Sequence, residues 1–243
     1  MNTAHPLITK LEREIVLTEA DRLSVNEVPF YLEDLKAGEG PSWAGDRPQR
    51  SFIVVKGLLS TSKALQEGQV QITAFHIAGD MPDLQALHLD VLDSDIGALT
   101  NCTLAFMAHQ HLRPFCERHP RLAAALWRAT LVEGAISREW VANVGQRDAI
   151  HRLAHLFCEM MTRMTAVGLA ADGSCSLALT QAVLSDATGL SLVHVNRTLQ
   201  TLRARGLITF AQGRLTIHDW DALVEIGDFR ADYLHLREPA PVI

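Results

Sequence analysis

Five polar side chains stand close together in this chain at spacings that suit shared hydrogen-bonding work: His194, Asn196, Arg197, Gln200 and Thr201. A guanidinium offers a rigid fork of donors, an amide a donor beside an acceptor, and imidazole and hydroxyl groups can take either role. Such a set can bond to polar edges. Leu192, Val195, Leu199 and Leu202 recur between them at steps of three, four and three, the pattern of a helix face that is buried. The polar five are what that helix leaves outside.

The flanking residues position this helix. Ser191 can cap its start by accepting a backbone N–H. Before it, Thr188-Gly189-Leu190-Ser191 forms a tight break, with glycine where a preceding helix must stop in a left-handed turn. Thr180 can cap that preceding helix, whose apolar stripe is Val183, Leu184 and Ala187. Leu207–Phe210 and Arg214–Ile217 flank Ala211-Gln212-Gly213 and read as a two-stranded hairpin. Helix, turn, helix and hairpin together make a winged helix-turn-helix.

The segment LTQAVLSDATGLSLVHVNRTLQTLRARGLI resembles, without a gap, the DNA-binding signature of the Crp/Fnr family of bacterial transcription regulators. There a serine opens the recognition helix and a V-x-R core sits in its middle. The resemblance implies a homodimer on palindromic double-stranded DNA, read through residues 191–205, in the cytoplasm, with RNA polymerase as a further partner and no membrane. Arg197 would be the main base reader, its fork matching guanine O6 and N7. Asn196 and His194 would add base or phosphate contacts, and Thr180, Gln181, Ser191 and Thr201 would hold the DNA backbone. Many family members carry glutamate two residues after the serine, where this chain has Val193. Valine cannot accept from a cytosine amine but can pack on a thymine methyl, which predicts a changed half-site.

At 243 residues the chain suits two domains, each with its own core. An apolar content of 48% beside 21% charged residues is that of an ordinary globular protein, and no apolar run approaches membrane-spanning length. Neither is there a basic-then-apolar secretory start. Cys102, Cys116, Cys158 and Cys175 are scattered without C-x-x-C spacing, which fits a reducing cytosol rather than a disulfide or zinc framework. The net charge of −6 looks wrong for a DNA binder until its distribution is considered. Between Thr180 and Ile217, Arg197, Arg203, Arg205 and Arg214 face Asp186 alone. A locally basic module on an acidic carrier can still bind phosphates.

Upstream, residues 1 to about 24 read as a helical lead-in, with a capping-box start at Thr18-Glu19-Ala20-Asp21. From Val28 to about Met107, glycines and prolines punctuate short β-type runs, with strands expected at Phe52–Val55, Val70–Ile77 and Thr103–Met107. His119-Pro120 opens a long helix to about Arg147. One of its faces carries Leu122, Leu126, Ala129, Val132, Ile136, Trp140 and Val144. A second carries Ala123, Trp127, Leu131 and Ala135, and its simplest partner is a second copy of the same helix. Asp148 can cap a further helix to about Ala166, and Gly168–Gly173 reads as a loop. The expected class is α+β: an N-terminal β-roll (double-stranded β-helix, jelly-roll-like) sensor domain, a long dimerisation helix and a C-terminal winged helix-turn-helix. The divisions fall at 1–118, 119–147 and 148–243.

Gly79, Asp80 and Ser137 are the candidate effector-pocket residues. Cyclic-nucleotide-binding relatives follow a Gly-Glu with an Arg-Ser pair. Here Val91-Leu92-Asp93-Ser94-Asp95-Ile96 contains no arginine, so a cyclic phosphate would meet two carboxylates. Oxygen-sensing relatives carry an iron-sulfur cluster on N-terminal cysteines, and none precedes Cys102. His76, His88, His109 and His111 could hold a first-row metal or a haem, and a metal at His109, His111 and Glu117 would make the roll a cupin-like enzyme. Glu117 is spaced too far and falls in a helix, no compact ligand spacing repeats, and His109 and His111 read more simply as surface residues starting a helix. No nucleophile motif or phosphate-binding glycine loop appears. The chain therefore reads as a regulator with no catalytic or metal site.

Overall fold

A computed structural model describes residues 5–237. The chain divides into two compact units. Among the described residues one holds 5–62, Phe75–Gly134 and 236–237; the other holds Lys63–Ala74 and Ala135–His235.

The first unit opens with helices α1 (Pro6–Glu12) and α2 (Glu19–Asn26). The expected capping box is present. Thr18 Oγ1 accepts from the Asp21 N–H at 3.2 Å, and the Asp21 carboxylate accepts from the Thr18 N–H at 2.7 Å. In chain order the strands β1 (Tyr31–Leu35), β2 (Arg50–Lys56), β3 (Leu59–Ala64), β4 (Val70–His76), β5 (Asp95–Ala98) and β6 (Cys102–Ala108) follow, the end of β3 and β4 up to Ala74 being counted in the second unit. They form two sheets with orders β1-β6-β2 and β4-β3-β5. Because successive side chains on a strand point to opposite faces, β2 and β6 each serve two cores. Phe52, Val54, Leu104 and Phe106 enter the core of the roll with Leu59 and Ile96. Ile53 and Met107 point the other way, into a core made with Leu7, Leu11, Val25, Leu112, Phe115 and Leu122. The lead-in helices are thus a wall of this core.

The three expected strands appear as β2, β4 and β6, and three more went unread. β1 is an edge strand carrying Glu33 and Asp34, with both Tyr31 and Leu32 exposed. β3 (LSTSKA) is mostly polar, and β5 is four residues long. Pairing rather than composition makes them strands.

His109 corrects the surface assignment. It starts α3 (His109–Arg118) but is buried, with Nε2 2.8 Å from Ser51 Oγ, whereas His111 is exposed. Helix α4 spans Pro120–Gln146, as its periodicity implied. Leu122, Leu126, Ala129, Ile136 and Trp140 are buried, while Trp127, Leu131 and Val141 are 67%, 57% and 70% exposed.

In the second unit, Asp148 caps α5 (Ala149–Ala166), accepting from the N–H groups of Ile150 and His151. Leu153, Ala154, Leu156, Phe157, Cys158, Met160, Met161 and Met164 bury α5 on every side, as befits a central helix. Its Glu159 is also fully buried. Its carboxyl oxygens accept from Trp140 Nε1 at 3.0 Å, Tyr233 OH at 2.9 Å and Arg163 at 3.1 Å, so the buried polar group is hydrogen-bonded.

Gly168–Gly173, expected as a loop, instead turns a hairpin. Strands β7 (Ala170–Ala171) and β8 (Ser174–Ser176) flank Asp172-Gly173, both at positive φ. Asp-Gly is the pair that a two-residue turn matched to strand twist demands, so the signal lay in the sequence unread. Helices α6 (Gln181–Thr188) and α7 (Leu192–Ala204) precede strands β9 (Ile208–Ala211) and β10 (Arg214–Ile217). The wing is therefore not a lone hairpin but half of a sheet ordered β7-β8-β10-β9. A further helix, α8 (Trp220–Gly227), packs on α5 and was not anticipated.

Candidate nucleic-acid interface

Each of the two helices α6 and α7 starts on a side-chain cap. Thr180 Oγ1 accepts from the Val183 N–H at 3.2 Å and starts α6. At its other end Gly189 takes φ +65°, and its N–H closes on the Ser185 carbonyl at 2.9 Å. The last carbonyls of α6 have no partner within their own helix and are met by side chains. Gln71 Nε2 donates to Asp186 at 2.8 Å, and Arg152 donates to Thr188 at 2.9 Å. Ser191 Oγ then accepts from the His194 N–H at 3.3 Å and starts α7.

Helix α7 buries Val195, Thr198, Leu199 and Leu202. Leu192, expected in that row, is the first residue of the helix and is 53% exposed. The outward surface therefore begins with Leu192 and Val193, the latter 77% exposed. Arg197 is exposed, and no hydrogen bond or ion pair engages its guanidinium among the described residues. Neither α6 nor α7 has an acidic residue in its first turn, so both positive helix ends are open to anions.

The other expected contacts are placed as follows. Thr180 and Ser191 cap helices through their oxygens, and Thr180 keeps a hydroxyl proton to give. His194 is exposed, with Nδ1 3.3 Å from Ser191 Oγ. Thr201 spends its proton on the Arg197 carbonyl at 3.0 Å, which leaves it only an acceptor. Asn196 and Gln181 are bonded to each other at 3.2 Å. Among the flanking cations, Arg203 donates to the Phe210 carbonyl and Arg214 to Ser174 Oγ, while Arg205 is exposed.

In the first unit the turn at Gly79-Asp80 pairs with β2, through the Gly79 N–H on Val54 O and the Val54 N–H on Asp80 O. Arg13 covers it, donating to the Ala78 carbonyl at 2.6 Å and lying 3.7 Å from the Asp80 carboxylate. A Cβ on Gly79 would come within 2.2 Å of the Arg13 guanidinium carbon. Asp80 also accepts from the Ile77 N–H at 2.8 Å. The residues present do not fit a cyclic phosphate. Asp93 and Asp95 occupy the segment where a guanidinium is needed, and the one at the turn is already spent on Asp80 and Ala78. Ser137 lies exposed on α4 in the second unit. His109, His111 and Glu117 are not gathered into a ligand set; among the described residues no group of three or more His, Cys, Asp or Glu could hold a metal ion. No described helix is long and apolar enough to cross a membrane.

Comparison with known proteins matches residues 151–226 to a Crp-like helix-turn-helix domain and residues 32–119 to a cyclic nucleotide-binding domain. Transcriptional activator protein FnrL of Cereibacter sphaeroides is 24% identical over 214 residues, covering 85% of this chain and 84% of that protein. Nitrogen fixation regulation protein FixK of Azorhizobium caulinodans is 25% identical over 173 residues, covering 71% of this chain and 69% of that one. In three dimensions the structure of FixK2 from Bradyrhizobium japonicum superposes with a TM-score of 0.76 at 22% identity, over 82% of this chain and 98% of that one.

Proposed function

Because the chain belongs to the Crp/Fnr family of transcription regulators, we propose that it acts as a homodimer on palindromic DNA, placing α7 in successive major grooves. The observation that carries this reading is Arg197: an exposed guanidinium, unpartnered among the described residues, in the middle of a helix whose N-terminus is bare of acid. Arg197 reads a guanine, Val193 packs on a thymine methyl, and His194 and Asn196 add contacts. Thr180 and Ser191 contact phosphates. The exposed face of α4 at Trp127 and Leu131 supplies the dimer seam. We divide the work as sensing in residues 1–118, pairing in 119–147 and DNA binding in 148–243. Gly79, Asp80 and Ser137 are each proposed as positions that respond to an effector. A cytoplasmic location and a contact with RNA polymerase follow from the same reading.

Selection of bound fragments from random duplex DNA, with the full chain at one fixed salt, tests it. A palindrome with half-sites about one helical turn apart is the expected outcome. Salt-sensitive binding blind to sequence would overturn it. On the selected site, Arg197→Ala should cost roughly 1–3 kcal/mol and relax preference at one base pair per half-site.

A further inference from the structure

Three side-chain amides form an unbroken relay on the outward side of the helix-turn-helix. Asn196 Nδ2 donates to Gln181 Oε1 at 3.2 Å, and Gln200 Nε2 donates to Asn196 Oδ1 at 2.8 Å. Gln181 is the first residue of α6, and Asn196 and Gln200 lie one turn apart on α7. An asparagine amide has two N–H donors and two acceptor lone pairs. The relay uses one of each and leaves one of each. A donor beside an acceptor is the complement of adenine N7 and N6 in the major groove.

The relay also restrains the amide, because Asn196 can turn over only if both glutamines turn with it. The terminal torsion of a free asparagine is broad and roughly two-fold, so nitrogen and oxygen exchange places easily. Here, turning Asn196 alone would set its oxygen against Gln181 Oε1 and its nitrogen against Gln200 Nε2, losing both hydrogen bonds. The half-buried Asn196 is thus tied at both ends beside Arg197, the exposed guanidinium in the next position. We infer that Asn196 reads an adenine next to the guanine read by Arg197, and that Gln181 and Gln200 are positioning residues that orient it. The inference rests on the entry of α7 into the major groove, and it moves Gln181 from a backbone contact to a buttress.

The test is binding of the full chain and of Asn196→Ala, Gln181→Leu and Gln200→Leu to a panel of duplexes. Each duplex carries the selected site with one base pair changed per half-site, at one salt concentration. Leucine keeps the bulk of glutamine and removes its amide. The unsubstituted protein should lose roughly 5- to 150-fold when the adenine is replaced. Asn196→Ala should abolish that discrimination. Each glutamine variant should reduce it at least about threefold at the same base pair and keep discrimination at the guanine read by Arg197. The relay is refuted if both glutamine variants discriminate as the unsubstituted protein does, or weaken every duplex alike, as loss of a phosphate contact would. It is also refuted if Asn196→Ala leaves every base preference intact. Absence of any base preference in the unsubstituted protein would instead overturn the DNA-reading proposal itself.

Discussion

Asp83 is a carboxyl group that folding keeps protonated. It is 1% exposed and accepts from the Phe52 N–H at 3.0 Å. Burial pushes it from an ordinary value of 3.8 to about 8, against the pull of the Phe52 amide and with a smaller push from Glu133. The folded state therefore holds a proton that the unfolded chain has released, so the Asp83 contribution is whole below about pH 4 and is lost as pH rises through about 8. Asp83→Asn keeps the acceptor for Phe52 without the charge. Urea unfolding across this range should show the variant gaining on the parent as pH rises, by a few kcal/mol near pH 8. A constant difference would mean that the carboxyl is not held neutral. His5, His109 and His155 act in the opposite direction. Burial lowers each below 6.5, with Arg113 adding to it at His109 and Arg147 at His155, so their contribution is present above 6.5 and lost as pH falls.

Two glycines separate local from tertiary constraint at the scale of the elements. Gly189 owes its place to backbone conformation. A Cβ there meets nothing nearer than Arg152 at 3.7 Å, so Gly189→Ala should cost only the left-handed strain, roughly 1–2 kcal/mol. Gly227, the last residue of α8, owes its place to packing. A Cβ there would stand 2.8 Å from the His155 nitrogen and 3.0 Å from the Ala154 carbonyl carbon, both backbone atoms of α5. Gly227→Ala must push α8 off α5 and disturb the 3.0 Å contact of His155 Nδ1 with the Gly227 carbonyl. It should cost about 3 kcal/mol, at the upper end for overpacking. Urea unfolding of the pair gives the order; an equal or smaller loss at Gly227 would show that α8 yields easily. The first glycine was legible from its neighbours Thr180 and Ser191, whereas nothing around Gly227 in the sequence points to α5.

For the molecule as a whole, the decisive surface is the face of α4 that its own chain leaves bare. Trp127 and Leu131 are 67% and 57% exposed one turn apart, and water is a poor partner for both. Leu131→Glu should convert a dimer to a monomer in sedimentation equilibrium while leaving helix content unchanged. A variant that still sediments as a dimer would place the seam elsewhere. The capped helices, the Gly189 turn and the wing strands could be read from the sequence because each depends on residues within one or two turns of chain. The long helix was legible for the same reason, its period repeating over 27 residues. Strands β1, β3 and β5 were not, since a polar or very short strand is made by its neighbours' hydrogen bonds and carries little pattern of its own. Pairing across the fold likewise decided that β7 and β8 extend the wing and that His109 is buried against Ser51. Periodicity placed His194, Arg197 and Gln200 on the outward side of α7, but it put Leu192 inside. That Arg197 is free while Asn196 is tied to Gln181 and Gln200 was decided only by packing α6 against α7, because side chains fifteen residues apart meet through the angle between two helices.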